Sequence, residues 1–195
     1  MPPADAVIRP LTPADAAAYM ALRREMLEDA PWAFAASPET DVALDPESLA
    51  EILAGEPGRA IIGAIDPRGD GHDLLAAAGI YRDRHPKMAH RARIWGVYTT
   101  PSARGRGLAA RVITAAIDLA RSWAGVSSIG LSASERSTDA IRLYRRLGFE
   151  PWGTEPGAVV LDGHAYAEVH MVLFLEPEQP SSSPTSPLSS TRGGT

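Results

Sequence analysis

Apolar residues recur at the spacing of an amphipathic helix in four segments of the chain. In the first, Ala18, Leu22 and Met26 lie one turn apart, after Thr12 and Pro13, which are typical of a helix start. The fourth segment ends before Gly148, and many helices are followed by a glycine. The sequence therefore predicts helices over about residues 13–29, 46–54, 108–123 and 138–147.

Seven shorter segments have the alternation or the continuous apolar runs of β-strands. Arg91–Thr99 alternates and predicts a long central strand, whereas Ala60–Ile65 is apolar throughout, as a buried strand would be. We expect strands at Val7–Leu11, Ala60–Ile65, Leu74–Tyr81, Arg91–Thr99, Ser127–Ala133, from Phe149 onward and at Tyr166–Leu175. This order of elements predicts an α+β (mixed α/β) fold.

The end of the chain has a different composition. From Glu176 to Thr195, Pro, Ser, Thr and Gly dominate, and Leu188 is the lone large apolar side chain. Such a segment cannot bury enough apolar surface to offset its ordering entropy. We therefore expect a single domain over residues 1–175, followed by a disordered tail over residues 176–195.

Composition places the chain among ordinary globular proteins. Of 195 residues, 45% are hydrophobic and 22% are charged. No apolar run approaches the roughly 20 residues of a membrane helix, and the first residues lack the basic and apolar regions of a signal peptide. There are no cysteines, which excludes disulfides and thiolate chemistry. These features predict a cytoplasmic protein without a membrane partner.

Charge is unevenly distributed. The net charge of −5 argues against nucleic acid as the main partner. Residues 1–60 hold four arginines and eleven acidic residues, whereas residues 101–150 hold eight arginines and four acidic residues. The acidic segment either faces a cationic partner or is an ordinary solvated surface.

A glycine turn is the most informative segment. Arg104, Gly105, Arg106 and Gly107 follow a predicted strand and precede a helix that begins near Leu108. Glycines allow a tight turn, and the start of a helix adds free N–H groups and the positive end of its dipole. The arrangement predicts a site for a pyrophosphate, although a plain tight turn would have the same residues. The string is not a P-loop, because no Gly-Lys-Ser/Thr follows, and it is not Gly-x-Gly-x-x-Gly, because Ala110 stands at the third glycine position.

Other enzyme classes lack support. The chain has no Gly-x-Ser-x-Gly motif, so a serine hydrolase is not indicated. The histidines have neither the i, i+4 spacing nor the His-Glu-x-x-His pattern of a zinc site. They are His72, His85, His90, His164 and His170. We expect no metal cofactor.

Two segments together resemble the GNAT superfamily of N-acetyltransferases. The acetyl-CoA motif of that family, Gln/Arg-x-x-Gly-x-Gly/Ala, matches at Arg104, Gly107 and Ala109. Its second signature, Ala-x-x-Leu-Tyr-x-x-x-Gly-Phe, matches residues 140–149, with one helix and one strand between the two. The resemblance covers about residues 6–175. It implies a twisted, mostly antiparallel sheet of about seven strands flanked by about four helices, with a splay between two strands that holds acetyl-CoA.

The resemblance also implies roles for particular residues. Backbone groups of Val97, Tyr98 and Thr99 would meet the thioester and the pantetheine, and the N–H groups of Arg104–Ala109 would hold the pyrophosphate. An amine would attack the thioester directly, and Tyr144 would protonate the departing thiolate. A phenol with a pKa of ~10 can donate to a thiolate. Without the family match, Tyr144 would instead be interpreted as a core aromatic residue. The residues whose N–H groups would hold the pyrophosphate are Arg104, Gly105, Arg106, Gly107, Leu108 and Ala109.

The chain departs from the family pattern in two places. Ser137 stands where many relatives have an asparagine that contacts the cofactor, so it either makes a shorter hydrogen bond or caps the helix. Many relatives also have a glutamate on the strand before the glycine turn, and residues 91–98 contain no acidic residue. Glu39, Glu168 and His170 are the candidates for the general base or for acceptor binding. Glu168 and His170 have the same strand parity, and a chain of water molecules is an equal alternative.

The acceptor amine is not specified by these motifs. Small molecules and peptides are both acetylated within this fold, and a fold does not select among them. The aromatic residues Trp32 and Phe34, together with the acidic N-terminal segment, favour a cationic acceptor with some apolar surface. The alternative is a non-catalytic module of the same fold that binds acyl-CoA. We expect a monomer or a homodimer.

Overall fold

The computed structural model describes residues 6–68 and 73–175. The predicted tail, 176–195, lies outside the described residues, as does part of the turn predicted after Asp66. Within the described ranges the α+β prediction is confirmed. The helices are α1 (Ala16–Asp29), α2 (Pro46–Leu53), α3 (Leu108–Arg121) and α4 (Thr138–Arg146). The strands are β1 (Val7–Pro10), β2 (Arg59–Ile65), β3 (Leu74–Arg82), β4 (Arg91–Thr99), β5 (Ser128–Ser134), β6 (Glu150–Leu161) and β7 (His164–Phe174).

The strands form one mixed sheet in the order β1-β2-β3-β4-β5-β7-β6. All neighbouring pairs are antiparallel except β4 and β5, which are parallel. A parallel pair requires a long crossover, and α3 supplies it between these two strands. The glycine turn is the first part of that crossover, so it lies at the carboxyl end of β4.

Helices cover both faces of the sheet. On one face, α1 and α2 pack over β2, β3 and β4, with Tyr19, Met26 and Leu49 fully buried. On the other face, α3 and α4 pack over the sheet around Ile80 and Ile129. The helix α3 is amphipathic, as predicted, and its buried residues are Leu108, Val112, Ile113, Ala116, Ile117 and Ala120. In the described ranges, no helix has both the length and the apolar character needed to cross a membrane.

Local polar groups fix where several helices begin and end. Asp45 caps α2 by accepting a hydrogen bond from the Ser48 N–H at 2.9 Å. Gly148 follows α4 at a φ of 90°, as predicted for the glycine after a helix. Before α1, a 3₁₀ turn over Pro13–Asp15 replaces the first predicted helical turn. The Asp15 carboxylate accepts from the Thr12 N–H at 2.8 Å and pairs with Arg9, which lowers the pKa of Asp15.

The β6–β7 hairpin is longer than the sequence predicted. β6 extends from Glu150 to Leu161, and β7 begins at His164, two residues before the expected start. Asp162 and Gly163 connect them at φ values of 49° and 75°, which are those of a type I′ hairpin turn. The pairing of β6 with β7 has two register shifts. The sequence of β6 therefore lacks the strict period-two alternation by which a strand is recognised.

Candidate active site

The parallel strands β4 and β5 separate after a short paired region. Their pairing extends from Arg91 to Arg93 on β4 and from Ser128 to Gly130 on β5. Beyond it lies a pocket of about 320 Å³ between Ile94–Val97 and Leu131–Ser134. We call this pocket the splay. It opens the centre of the sheet to a ligand, as the family resemblance implied.

A β-bulge shapes the β4 side of the splay. Trp95 pairs with Gly79, and Tyr98 pairs with Ala77, so β4 contains one residue more than β3 between these pairs. Gly96 has a φ of 58°, which favours glycine. Because of the extra residue, Val97 packs on the α3 face and Tyr98 packs on the α1 face.

The glycine turn presents free backbone donors. Gly105 and Gly107 have φ values of 77° and 74°, and a Cβ at either position would meet no atom within 4 Å. The first backbone hydrogen bond of α3 joins the Arg111 N–H to the Gly107 carbonyl. In the described ranges, no backbone acceptor takes the N–H groups of residues 105–110. This geometry suits an anion that approaches the backbone closely.

Arg104 differs from the other residues of the turn. Its N–H donates to the Pro101 carbonyl at 3.3 Å, so this donor is already used. Its guanidinium pairs with Asp29 and donates to the Thr99 carbonyl at 3.2 Å. The positive charge expected here is therefore balanced by α1. Arg106 makes no ion pair with the described residues and supplies positive charge beside the turn.

Tyr98 and its neighbours attach β4 to α1. The Tyr98 hydroxyl donates to Glu25 at 3.3 Å and to Asp29 at 3.1 Å, and the Thr100 hydroxyl donates to Glu25 at 2.7 Å. Burial, followed by the negative charge of Glu25, raises the pKa of Tyr98. The Tyr98 side chain thus points away from the splay, and only its backbone remains available to a cosubstrate.

Tyr144 lies on α4 at the wall of the splay. Only 4% of the residue is exposed, and its ring meets Phe149 edge-on at 6.1 Å between centroids. Burial raises the pKa of its phenol. Among the described residues, none forms a hydrogen bond with its hydroxyl. The side chain is therefore both part of the core and a free proton donor beside the pocket.

Two serines face the same pocket. Ser137 precedes α4, but its side chain does not cap the helix and instead lines the splay. Ser134 is 1% exposed, and its hydroxyl has no partner in the described part of the chain. A buried hydroxyl without a partner is costly, so Ser134 is a further polar group available to a ligand. No motif or spacing in the sequence indicated Ser134.

Of the three candidates for the base, the structure brings Glu168 to the splay. It lies on β7 opposite Ser134. His170 has the same parity but lies opposite Ser132, where it is hydrogen-bonded to Glu155 at 2.9 Å and contacts the Trp152 ring. Glu39 is exposed, and a hydrogen bond from the Ser37 side chain lowers its pKa. Neither His170 nor Glu39 lines the splay.

Arg23 and Trp95 form a wall of the splay that the sequence did not predict. Arg23 lies on α1 and is buried with Asp41, to which its Nε donates at 3.1 Å. Its guanidinium lies 5.7 Å from the Phe34 ring centroid and 5.5 Å from that of Trp95. The ion pair thus holds the loop after α1 against β4. One residue in the sequence could have indicated this part of the site. Gly96 follows Trp95, and an isolated glycine in a strand suggests a bulge.

No metal site is apparent in the described ranges, where no three His, Asp or Glu side chains form a group that could hold an ion. The splay instead has hydroxyl, carboxylate and phenol groups. Such groups bind by hydrogen bonds and exchange protons.

Comparisons with known proteins identify the family and the fold. The model of the Acetyltransferase (GNAT) family matches residues 20–149. A search of curated proteins gives no significant match. A GCN5-related N-acetyltransferase from Kribbella flavida is 28% identical, with a TM-score of 0.72 over 87% of this chain and 97% of that chain. NAA60 of Arabidopsis thaliana, solved with acetyl-CoA, is 17% identical, with a TM-score of 0.66 over 87% and 98%. A GNAT acetyltransferase from Streptococcus pneumoniae is 18% identical, with a TM-score of 0.74 over 87% and 99%.

Proposed function

The chain belongs to the GNAT acetyltransferase family, and on that premise we propose that it transfers the acetyl group of acetyl-CoA to a primary amine. The observation that carries the proposal is the splay, which brings Ser137, Tyr144 and Glu168 together in a sheet whose strand β4 continues into the glycine turn with its free backbone donors. We place the activity in a single domain over about residues 6–175. NAA60, solved with a bisubstrate analogue, supports a reaction in which both substrates are bound together.

We assign the cosubstrate to three parts of this site. The N–H groups of residues 105–109 and the charge of Arg106 would hold the pyrophosphate. The backbone of Val97–Thr99 would hold the pantetheine and the thioester, and Ser137 would donate to the pantetheine from the α4 side. Of the motif residues, Arg104 contributes mainly by fixing the turn to α1 through Asp29.

We assign the proton transfers to Glu168 and Tyr144, which both line the splay. Glu168 accepts a proton from the ammonium group of the acceptor, directly or through a water molecule, which frees the nitrogen lone pair. The nitrogen then attacks the thioester carbon, the C–S bond breaks as the C–N bond forms, and the nitrogen loses its surplus proton to water, from which Tyr144 regains the proton that it gives to the thiolate. Burial keeps the Tyr144 phenol protonated near neutral pH, and the departing thiolate takes that proton.

Two measurements on one sample test the function. Isothermal titration measures acetyl-CoA binding, and release of free thiol is then followed on a panel of small amines and peptides. We expect both binding and turnover. Binding without thiol release on any amine would support the alternative, a non-catalytic acyl-CoA-binding module.

Gly107→Val should weaken acetyl-CoA binding by at least about tenfold. A branched side chain in open space beside free N–H groups would occupy the place of the pyrophosphate, and it would strain a positive φ. Gly163→Val is the matched control, because Gly163 has nearly the same φ and the same open surroundings in the distant hairpin. Titration of both variants, folded by circular dichroism, checks the effect. Equal affinity in the two would remove the pyrophosphate assignment.

Glu168→Gln should lower kcat by about 100-fold, the lower end for general bases, because water can carry part of the proton transfer. His170→Gln and Glu39→Gln should leave kcat within about twofold, since neither side chain lines the splay. Initial rates at saturating acetyl-CoA distinguish the three variants. A large loss in His170→Gln with none in Glu168→Gln would move the base to His170.

A further inference from the structure

A second pocket, which we call the outer chamber, adjoins the splay. Its volume is about 680 Å³, and it shares Arg23, Ala36 and Trp95 with the splay. We propose that the outer chamber binds the far end of the acceptor and that Arg59 there receives a carboxylate. This proposal rests on the proposed function and names the class of acceptor that the chain would use.

The middle of the outer chamber is apolar. Tyr81 and Trp95 form its floor on the α1 face of the sheet, and Val42 and Ile52 form the opposite wall. Trp95 lies flat over Gly79, where a Cβ would come within 2.2 Å of the indole ring. Val42 is 69% exposed although it is large and apolar. These surfaces suit an apolar segment of a ligand.

The charged side chains around the outer chamber have an ion-pair or hydrogen-bond partner among the described residues, with one exception. Asp41 is bound to Arg23, and Glu56 is bound to Arg84 at 2.5 Å. Asp83 accepts from the His85 N–H at 3.0 Å and contacts the His85 ring at 3.2 Å. Arg82 forms no ion pair, but its Nε donates to the Ala89 carbonyl at 2.6 Å.

Arg59 is the exception. It is partly buried, and it forms no ion pair or side-chain hydrogen bond with the residues described. A guanidinium that loses solvent without gaining a partner is costly, and a carboxylate is the partner it binds best, through two parallel hydrogen bonds. An anionic group on the acceptor would supply that partner. A second ammonium group would meet only carboxylates that are already paired.

Strand geometry sets the length of the acceptor. Arg59 pairs with Tyr81, and Tyr81 pairs with Arg93, so these residues form one row across the sheet. The bulge at Gly96 and Val97 lies three to four residues further along β4, or roughly 10–13 Å, and Arg59 lies two strand spacings of ~4.8 Å to the side, so the direct span is roughly 14–16 Å. An extended tripeptide spans at most ~10–11 Å, and the Arg59 side chain can reach across the remainder. The acceptor inferred here is therefore the size of a tripeptide, with an amine at one end, an apolar middle and a carboxylate at the other.

Kinetics on a matched pair of peptides tests this inference. The probes are Ala-Leu-Ala with a free carboxylate and the same peptide with a C-terminal amide. For the wild-type protein we expect a KM for the free acid on the order of 10- to 100-fold lower than for the amide, which is the range for hydrogen bonds to charged groups. Arg59→Met should remove that difference by raising the KM of the acid alone. Arg59→Lys should restore part of it, because lysine keeps the charge without the bidentate geometry.

Arg121→Met is the matched control, since Arg121 is exposed and pairs with Asp118 at the far end of α3. It should leave both KM values unchanged. Equal KM values for the acid and the amide in the wild-type protein would overturn the carboxylate assignment while leaving the acetyltransferase proposal intact. Acetyl-CoA binding without turnover of any amine would overturn the proposed function itself. A melting temperature of Arg59→Met close to the wild-type value confirms that the KM change reports on binding.

Discussion

Tyr144→Phe should lower kcat by about 10²- to 10⁴-fold, the usual contribution of a general acid, while acetyl-CoA affinity changes little. The substitution keeps the ring that packs edge-on against Phe149 and removes only the hydroxyl. Because the proton is needed only as the thiolate leaves, the loss belongs to the transition state and not to the bound ground state. Steady-state rates and isothermal titration separate the two.

Tyr19→Phe is the control for this experiment. Tyr19 is fully buried in the core beneath α1, and its hydroxyl has no partner among the described residues. Burial raises its pKa to about 12. Tyr19→Phe therefore removes a buried phenol hydroxyl away from the splay and should leave kcat unchanged. If Tyr144→Phe also turned over at the wild-type rate with chemistry rate-limiting, Tyr144 would be a packing residue and water would protonate the thiolate.

Asp41→Ala should lower the free energy of unfolding by about 3–5 kcal/mol, because it leaves the Arg23 guanidinium buried without its counter-charge. Asp41 and Arg23 are 8% and 6% exposed. Asp41 also accepts from the Ala43 N–H at 2.8 Å, and this donor would lose its partner too. Urea unfolding monitored by circular dichroism measures the change.

Asp118→Ala is the matched control for the ion pair. Asp118 and Arg121 form an exposed pair, with 59% and 58% of their side chains accessible, and such pairs contribute about 0–1 kcal/mol. The double substitution Arg23→Met and Asp41→Leu should recover much of the stability, since an apolar pair of similar volume avoids the cost of burying charge. Equal losses in Asp41→Ala and Asp118→Ala would show that the buried pair contributes no more than a surface pair.

Local sequence patterns predicted most of the fold, because the spacing of apolar residues within most helices and strands is typical of that type of element. The amphipathic pattern of α3, the glycine after α4 and the apolar run of β2 each specify structure from neighbouring residues alone. The β6–β7 hairpin was predicted only in part. Its register shifts break the alternation of apolar and polar residues in β6. The Asp162-Gly163 pair is nevertheless a strong sequence signal for a hairpin and could have been used to predict it.

The candidate site was predictable where a motif is contiguous and not where residues meet across the fold. The glycine turn and Tyr144 stand in recognisable strings. The partner of Arg104 is Asp29, 75 positions away, and nothing local predicts that contact. Glu168 and His170 lie two positions apart on one strand and face the same side of the sheet. The sequence therefore could not show which of them lines the pocket. Only the place at which β5 leaves β4 decides which of the two reaches the pocket.

Because of the extra residue at Gly96, the exact number of residues in β4 decides which face of the sheet each following side chain occupies. Without a bulge, the same residues in regular pairing would change faces from Val97 onward, since side chains alternate strictly along a strand. The Tyr98 phenol would then turn into the apolar layer beneath α3, and Val97 would face the carboxylates of Glu25 and Asp29. A residue inserted elsewhere in the strand would have this effect, whereas loss of Gly96 would keep both faces and remove the bulge that shapes the splay. Inherited insertions and deletions should be tolerated in the connecting loops and selected against in the middle of this strand.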